Sequence, residues 1–103
     1  MNESPIACEL TSAELQERRR AILPKFRDAV IEVNELEDGF AYSFASDPDQ
    51  LKELAGLIDL ERRCCPFLRF RLTVEAGGGP LCLEITGPDG TKAFLRNTFD
   101  WKS

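Results

Sequence analysis

At Pro66 the apolar residues change their period. Upstream, Leu51, Leu54, Leu57 and Ile58 recur at helical spacing; downstream, Leu68, Phe70, Leu72 and Val74 alternate with Arg69, Arg71 and Thr73, the mark of a strand with one buried face. Proline disfavours helical geometry in the residue before it, so the helix is expected to end around Cys65 and a strand to cover 67–75. Asp47 before Pro48 supplies an N-cap followed by a first-turn proline, and Gln50 stands where the reciprocal partner of a capping box would be.

The same reasoning extends over the rest of the chain. Thr11-Ser12-Ala13-Glu14 has capping-box spacing, and Leu15, Ile22 and Phe26 follow at helical intervals, so a first helix is expected from about Ser12 to about Ala29. Pro24 falls inside it and predicts a kink or a break. Segments 30–36 and 40–45 are strand-like, and Glu37-Asp38-Gly39 between them carries the Asp-Gly signal of a tight hairpin, with Ile31 and Val33 facing the same way as Phe40, Tyr42 and Phe44. The loop Gly77-Gly78-Gly79-Pro80 leads into a strand over 81–86, where Leu81, Leu83 and Ile85 alternate with Cys82 and Glu84. Gly87-Pro88-Asp89-Gly90 is a turn, and Thr91 is placed to cap a short final helix carrying Phe94, Leu95 and Phe99.

The order is αββαββα. Two hairpins with one apolar face each are best satisfied in a four-stranded antiparallel sheet covered by helices on one side, a two-layer α+β sandwich. A chain of 103 residues accommodates this as one domain over 1–103. The other face carries Glu32, Asn34, Ser43, Arg69, Arg71, Cys82 and Glu84, and a homodimer or another protein is a conceivable occupant.

Composition narrows the chemistry. Eighteen acidic against thirteen basic residues give a net charge of -5, which argues against nucleic acid as the partner. The apolar runs are too short for a membrane span, and the start of the chain lacks the pattern of a secretory signal, so the expectation is a soluble cytoplasmic protein. There is no histidine, which removes Cys-His and Ser-His-Asp activation and every histidine-containing zinc site. Four cysteines remain, Cys8, Cys64, Cys65 and Cys82, expected as reduced thiols in that compartment.

The vicinal pair Cys64-Cys65 is the least ordinary feature. With about 100° per residue and Leu51 as origin, Leu54 falls at about 300°, Ile58 at about 340°, Glu61 at about 280° and Cys65 at about 320°. Glu61 and Cys65 therefore sit on the core-facing stripe, and Cys64, at about 220°, sits at its border with the more accessible thiol. A carboxylate aimed at an apolar sheet needs a partner. Arg62, Arg63 and Arg69 offer a salt bridge; alternatively Glu61 accepts a thiol proton or provides an oxygen ligand.

Ile6-Ala7-Cys8, the run Leu60-Glu61-Arg62-Arg63-Cys64-Cys65-Pro66-Phe67-Leu68-Arg69-Phe70, and Gly79-Pro80 through Ile85-Thr86-Gly87-Pro88 resemble a set of small uncharacterised bacterial proteins that share a Cys-Cys-Pro-Phe signature over most of the chain. A shorter Cys-Cys-x-Phe likeness is to tail regions of regulators of the mercury-resistance type. The first resemblance groups Cys8, Cys64 and Cys65 and leaves Cys82 apart.

Three thiolates suit a soft ion such as mercuric ion or arsenite, and zinc would take Glu61 or water as a fourth ligand. The expected function is thus a non-catalytic binding protein for a soft metal or metalloid through Cys64 and Cys65, with Cys8 and Glu61 assisting. The alternatives are an interaction or homodimerisation module whose cysteines simply pack the core, and a thiol redox protein. Adjacent side chains on a regular helix diverge by about 100°, which hinders joint chelation unless the helix end at Pro66 relieves it. Gly77-Gly78-Gly79 lacks the Lys-Ser/Thr of a phosphate-binding loop and is expected to be a hairpin loop. Arg18-Arg19-Arg20 follows Glu14 and Glu17 as an intrahelical charge set on a solvated face. Arg69 and Arg71 are matched to an anion or to Glu84 across the sheet. Trp101 is expected to staple the tail to the body.

Overall fold

The computed structural model describes residues 13–99, apart from the side chains of Leu15 and Phe99. Helix α1 spans Ala13–Ala29, strand β1 Glu32–Leu36, β2 Gly39–Phe44, helix α2 Pro48–Cys64, β3 Arg69–Val74, β4 Leu81–Thr86 and helix α3 Thr91–Phe99. The αββαββα order is as the sequence implies. The proposed caps at Thr11 and Ser12 and the staple at Trp101 lie outside the described residues.

The four strands form one antiparallel sheet in the order β1-β2-β4-β3. The hairpins β1-β2 and β3-β4 join along β2 and β4, whose inward side chains are more deeply buried than those of β1 and β3. Charged Glu32, Glu35, Arg69 and Arg71 fall on the edge strands β1 and β3, where side chains still reach water. Register sets Val33 opposite Tyr42, and Phe40 and Phe70 opposite Ile85, so these share the helix-covered face. Phe40, Tyr42, Phe44, Leu81, Leu83 and Ile85 meet Phe26 of α1, Leu54 and Leu57 of α2 and Leu95 of α3 in one core. Each such large apolar side chain contributes about 1.5–3 kcal/mol on full burial. Phe26 packs edge-on to Tyr42 at 5.3 Å between ring centroids.

Asp47 caps α2 as expected: its backbone is extended and its Oδ1 accepts from the Asp49 N–H at 3.0 Å, with Pro48 in the first turn. Pro24 neither breaks α1 nor divides it; one helix runs through it to Ala29. Proline removes a single backbone donor, and the packing of Ile22, Leu23 and Phe26 against the core holds the turns on both sides.

Two turn assignments change. Leu36 pairs with Gly39, so Glu37 and Asp38 alone form the β1-β2 turn and Gly39 is the first residue of β2. A glycine is needed there because the adjoining strand comes so close: a Cβ at 39 would lie 1.9 Å from the Ile85 carbonyl oxygen. Thr91 does not cap α3. It is the first helical residue, its Oγ1 is buried with no hydrogen-bond partner among the described residues, and Gly90 at φ 97° turns the chain into the helix. The glycines after β3 form a hairpin loop, with Gly77 and Gly78 at positive φ. Among the described residues no helix is long and apolar enough to cross a membrane.

Candidate thiol site

Helix α2 turns Leu54, Leu57, Leu60, Glu61 and Cys64 inward. Glu61, Cys64 and Cys65 are all fully buried, at 0% exposure. The burial of Glu61 and Cys65 follows the helical stripe; that of Cys64 corrects the expectation of an accessible thiol. Leu60, four residues earlier, is buried too, so at its C-terminal end α2 is covered over a wider sector than one sheet-facing stripe.

The helix stops between the two cysteines. Cys65 has φ -127° and ψ 78°, outside helical geometry, and still donates its N–H to the Glu61 carbonyl at 2.7 Å. Pro66 accounts for the conformation, since its ring disfavours a helical residue before it. Freed from the helical increment, the two side chains converge and their Sγ atoms lie 3.4 Å apart. The divergence that would hinder joint action of vicinal cysteines is thereby removed.

Glu61 finds its cation on another helix. Arg19 of α1 donates through Nε to Oε2 at 2.6 Å and through Nη2 to Oε1 at 3.2 Å, a two-pronged pair across α1 and α2. The Glu61 side chain is 1% exposed and that of Arg19 20%. The salt-bridge alternative therefore holds, but with a partner that sequence proximity does not indicate: Arg62 and Arg63 both reach back to Asp59 on the outer face. Arg20 pairs with Glu17 as expected, whereas Arg19 leaves that solvated set. A signal for this existed, since Arg19 lies three residues before Ile22 and seven before Phe26, on the inward stripe of α1.

Cys65 directs its thiol at both neighbours, Cys64 Sγ and, at 3.9 Å, Glu61 Oε1. Cys65 and Cys82 keep their thiols. Cys64 is disulfide-bonded, which departs from the reduced cysteines expected; spacing along a chain does not reveal which sulfurs meet in space. Cys8 lies outside the described residues. Among the described residues no group of three or more acidic or cysteine side chains is arranged to hold a metal ion, so Cys64, Cys65 and Glu61 alone make no complete ligand set.

Cys82 is apart, as expected: it pairs in register with Ser43 and Thr73 on the open face. Partial burial and the nearby Glu84 and Glu75 carboxylates push its thiol pKa up. On that face Arg71 lies 3.8 Å from Glu84. The cavity of about 250 Å³ beside them also contains Arg69 and Asp38, so the arginines face carboxylates as well as open space.

No family model, curated protein or solved structure matches the chain.

Proposed function

We propose that the protein binds a soft, thiophilic ion, mercuric ion or arsenite in class, through Cys64 and Cys65 in their reduced state, with Cys8 completing the site. The observation that carries this reading is the 3.4 Å approach of two vicinal sulfurs at a helix end. A tetrahedral zinc site with bonds of about 2.3 Å separates its sulfurs by about 3.8 Å, so a displacement of a few tenths of an ångström brings both onto one centre. Soft ions favour thiolate over carboxylate, and Glu61 is held by Arg19. Its part in this reading is to take the proton that Cys65 gives up on binding, a requirement of every thiolate ligand.

The test is a titration of fully reduced protein with mercuric, arsenite, zinc and cadmium ions, counting the remaining thiols, repeated on Cys64→Ser, Cys65→Ser and Cys82→Ser. The expected result is one ion per chain, held against a competing small dithiol, lost in the first two variants and kept in the third. Binding that is indifferent to Cys64→Ser and Cys65→Ser overturns it.

A second reading, an interaction or homodimerisation module, has in its favour not the open sheet face but its edges, where Ile31 and Val33 at the β1 edge and Val74 at the opposite β3 edge leave apolar side chains exposed. It predicts a concentration-dependent dimer in sedimentation that Val74→Lys or Ile31→Lys abolishes.

A further inference from the structure

We propose that the open face of the sheet carries a second site, which takes a small zwitterion of the amino-acid class. The strand register gathers its parts. Leu36, Gly39, Thr86 and Arg69 stand in one row across the four strands, and Glu84 and Arg71 are partners in the adjoining row of the same face. Gly39 brings no side chain between Leu36 and Thr86. At this end of the sheet a cavity of about 250 Å³ is lined by Leu36, Asp38, Arg69, Arg71, Glu84 and Thr86.

The charges around the cavity decide what fits it. Among the described residues neither Arg69 nor Asp38 enters an ion pair, and Arg71 comes only to 3.8 Å from Glu84, beyond hydrogen-bond distance. Two guanidiniums and two carboxylates thus face one space without neutralising each other by contact. A simple anion drawn to the arginines also meets Asp38 and Glu84, and a simple cation meets the reverse. A ligand that carries both signs on neighbouring atoms is complementary to both sets. Arg69 would hold its carboxylate through paired N–H donors, the geometry in which a guanidinium exceeds an ammonium. Asp38 and Glu84 would accept from its ammonium group, and Leu36 offers apolar contact to its side chain. Size follows from the volume: at about 30 Å³ for a water molecule, the cavity takes roughly eight groups of that size, the non-hydrogen atom count of valine. None of these residues belongs to the thiol site, so the two readings stand or fall separately.

The test is a titration of the isotope-labelled full chain with valine at neutral pH and fixed ionic strength, followed by amide NMR. Saturable shifts centred on Leu36, Gly39, Thr86 and Arg69 are expected. N-acetylvaline, which lacks the ammonium, and valinamide, which lacks the carboxylate, are each expected to bind about tenfold or more weakly than valine, the loss of one charge-assisted contact. Arg69→Gln is expected to weaken valine and N-acetylvaline but not valinamide, and Asp38→Asn to weaken valine and valinamide but not N-acetylvaline. Both side chains are exposed, so the substitutions spare the fold, and circular dichroism checks this. Glu32→Gln, on the same face but outside the cavity, is expected to leave valine binding unchanged. The proposal is overturned by the absence of saturable shifts with valine, by valine binding indifferent to Arg69→Gln and Asp38→Asn, or by inorganic phosphate or N-acetylvaline binding as tightly as valine, the mark of a plain anion site.

Discussion

The ion pair between Arg19 and Glu61 is largely withdrawn from water, with side-chain exposures of 20% and 1%. Removing one partner of a buried ion pair costs about 3–5 kcal/mol, because the remaining charge is left in an apolar setting. Arg19 is partly exposed, so Arg19→Ala is expected near the lower end, about 3 kcal/mol, with Tm lower by roughly 12 °C or more in thermal unfolding. Replacing both residues by methionine is expected to recover most of that loss, since an apolar pair of similar size matches a buried ion pair in stability. Thr91 presents the opposite case. Its buried hydroxyl has no partner among the described residues, so Thr91→Val, which keeps the shape and removes the polar atom, is expected to stabilise by about 1 kcal/mol in urea unfolding.

At the level of elements, helix α2 decides the site, and its two ends were unequally legible. Its start was readable because Asp47-Pro48 works locally, through one hydrogen bond and one fixed φ. Asp47→Ala is expected to cost about 1 kcal/mol without changing the denaturant slope. Its end was readable from Pro66 to within one residue, and so was the inward stripe that buries Glu61. What the periodicity did not disclose was the convergence of Cys64 and Cys65, because a wheel of fixed increment stops applying at the first residue that leaves the helix. Nor did it disclose Arg19 as the partner of Glu61: the two are 42 positions apart, and only the packing of α1 on α2 brings them together. The strand assignments succeeded because alternation is a local pattern. The Asp38-Gly39 turn was misplaced because the glycine answers to β4, a strand distant in sequence.

Across the whole molecule, the edge strand β1 is tied to helix α3 by charge. Glu35 on β1 meets Lys92 and Arg96 of α3. Its hydrogen bond with Lys92 and the charge of that lysine hold the Glu35 carboxyl below its usual range. A carboxyl lowered in the folded state stabilises the protein above the ordinary carboxylate range and ceases to do so as the pH falls through its depressed value. Acid unfolding followed by circular dichroism is therefore expected to be less steep in Glu35→Gln, and the wild-type difference to shrink in high salt because the pair is exposed. Facing away from all of this, Cys82 stands as a partly accessible thiol on the open sheet surface, while Cys64 and Cys65 at the end of α2 are sealed off. Among the described cysteines that separation sorts Cys82 from the other two toward bulky reagents. A nitroxide attached at mildly alkaline pH would sit on the uncovered side of the sheet, and its spectrum would register the arrival of anything that came to lie there.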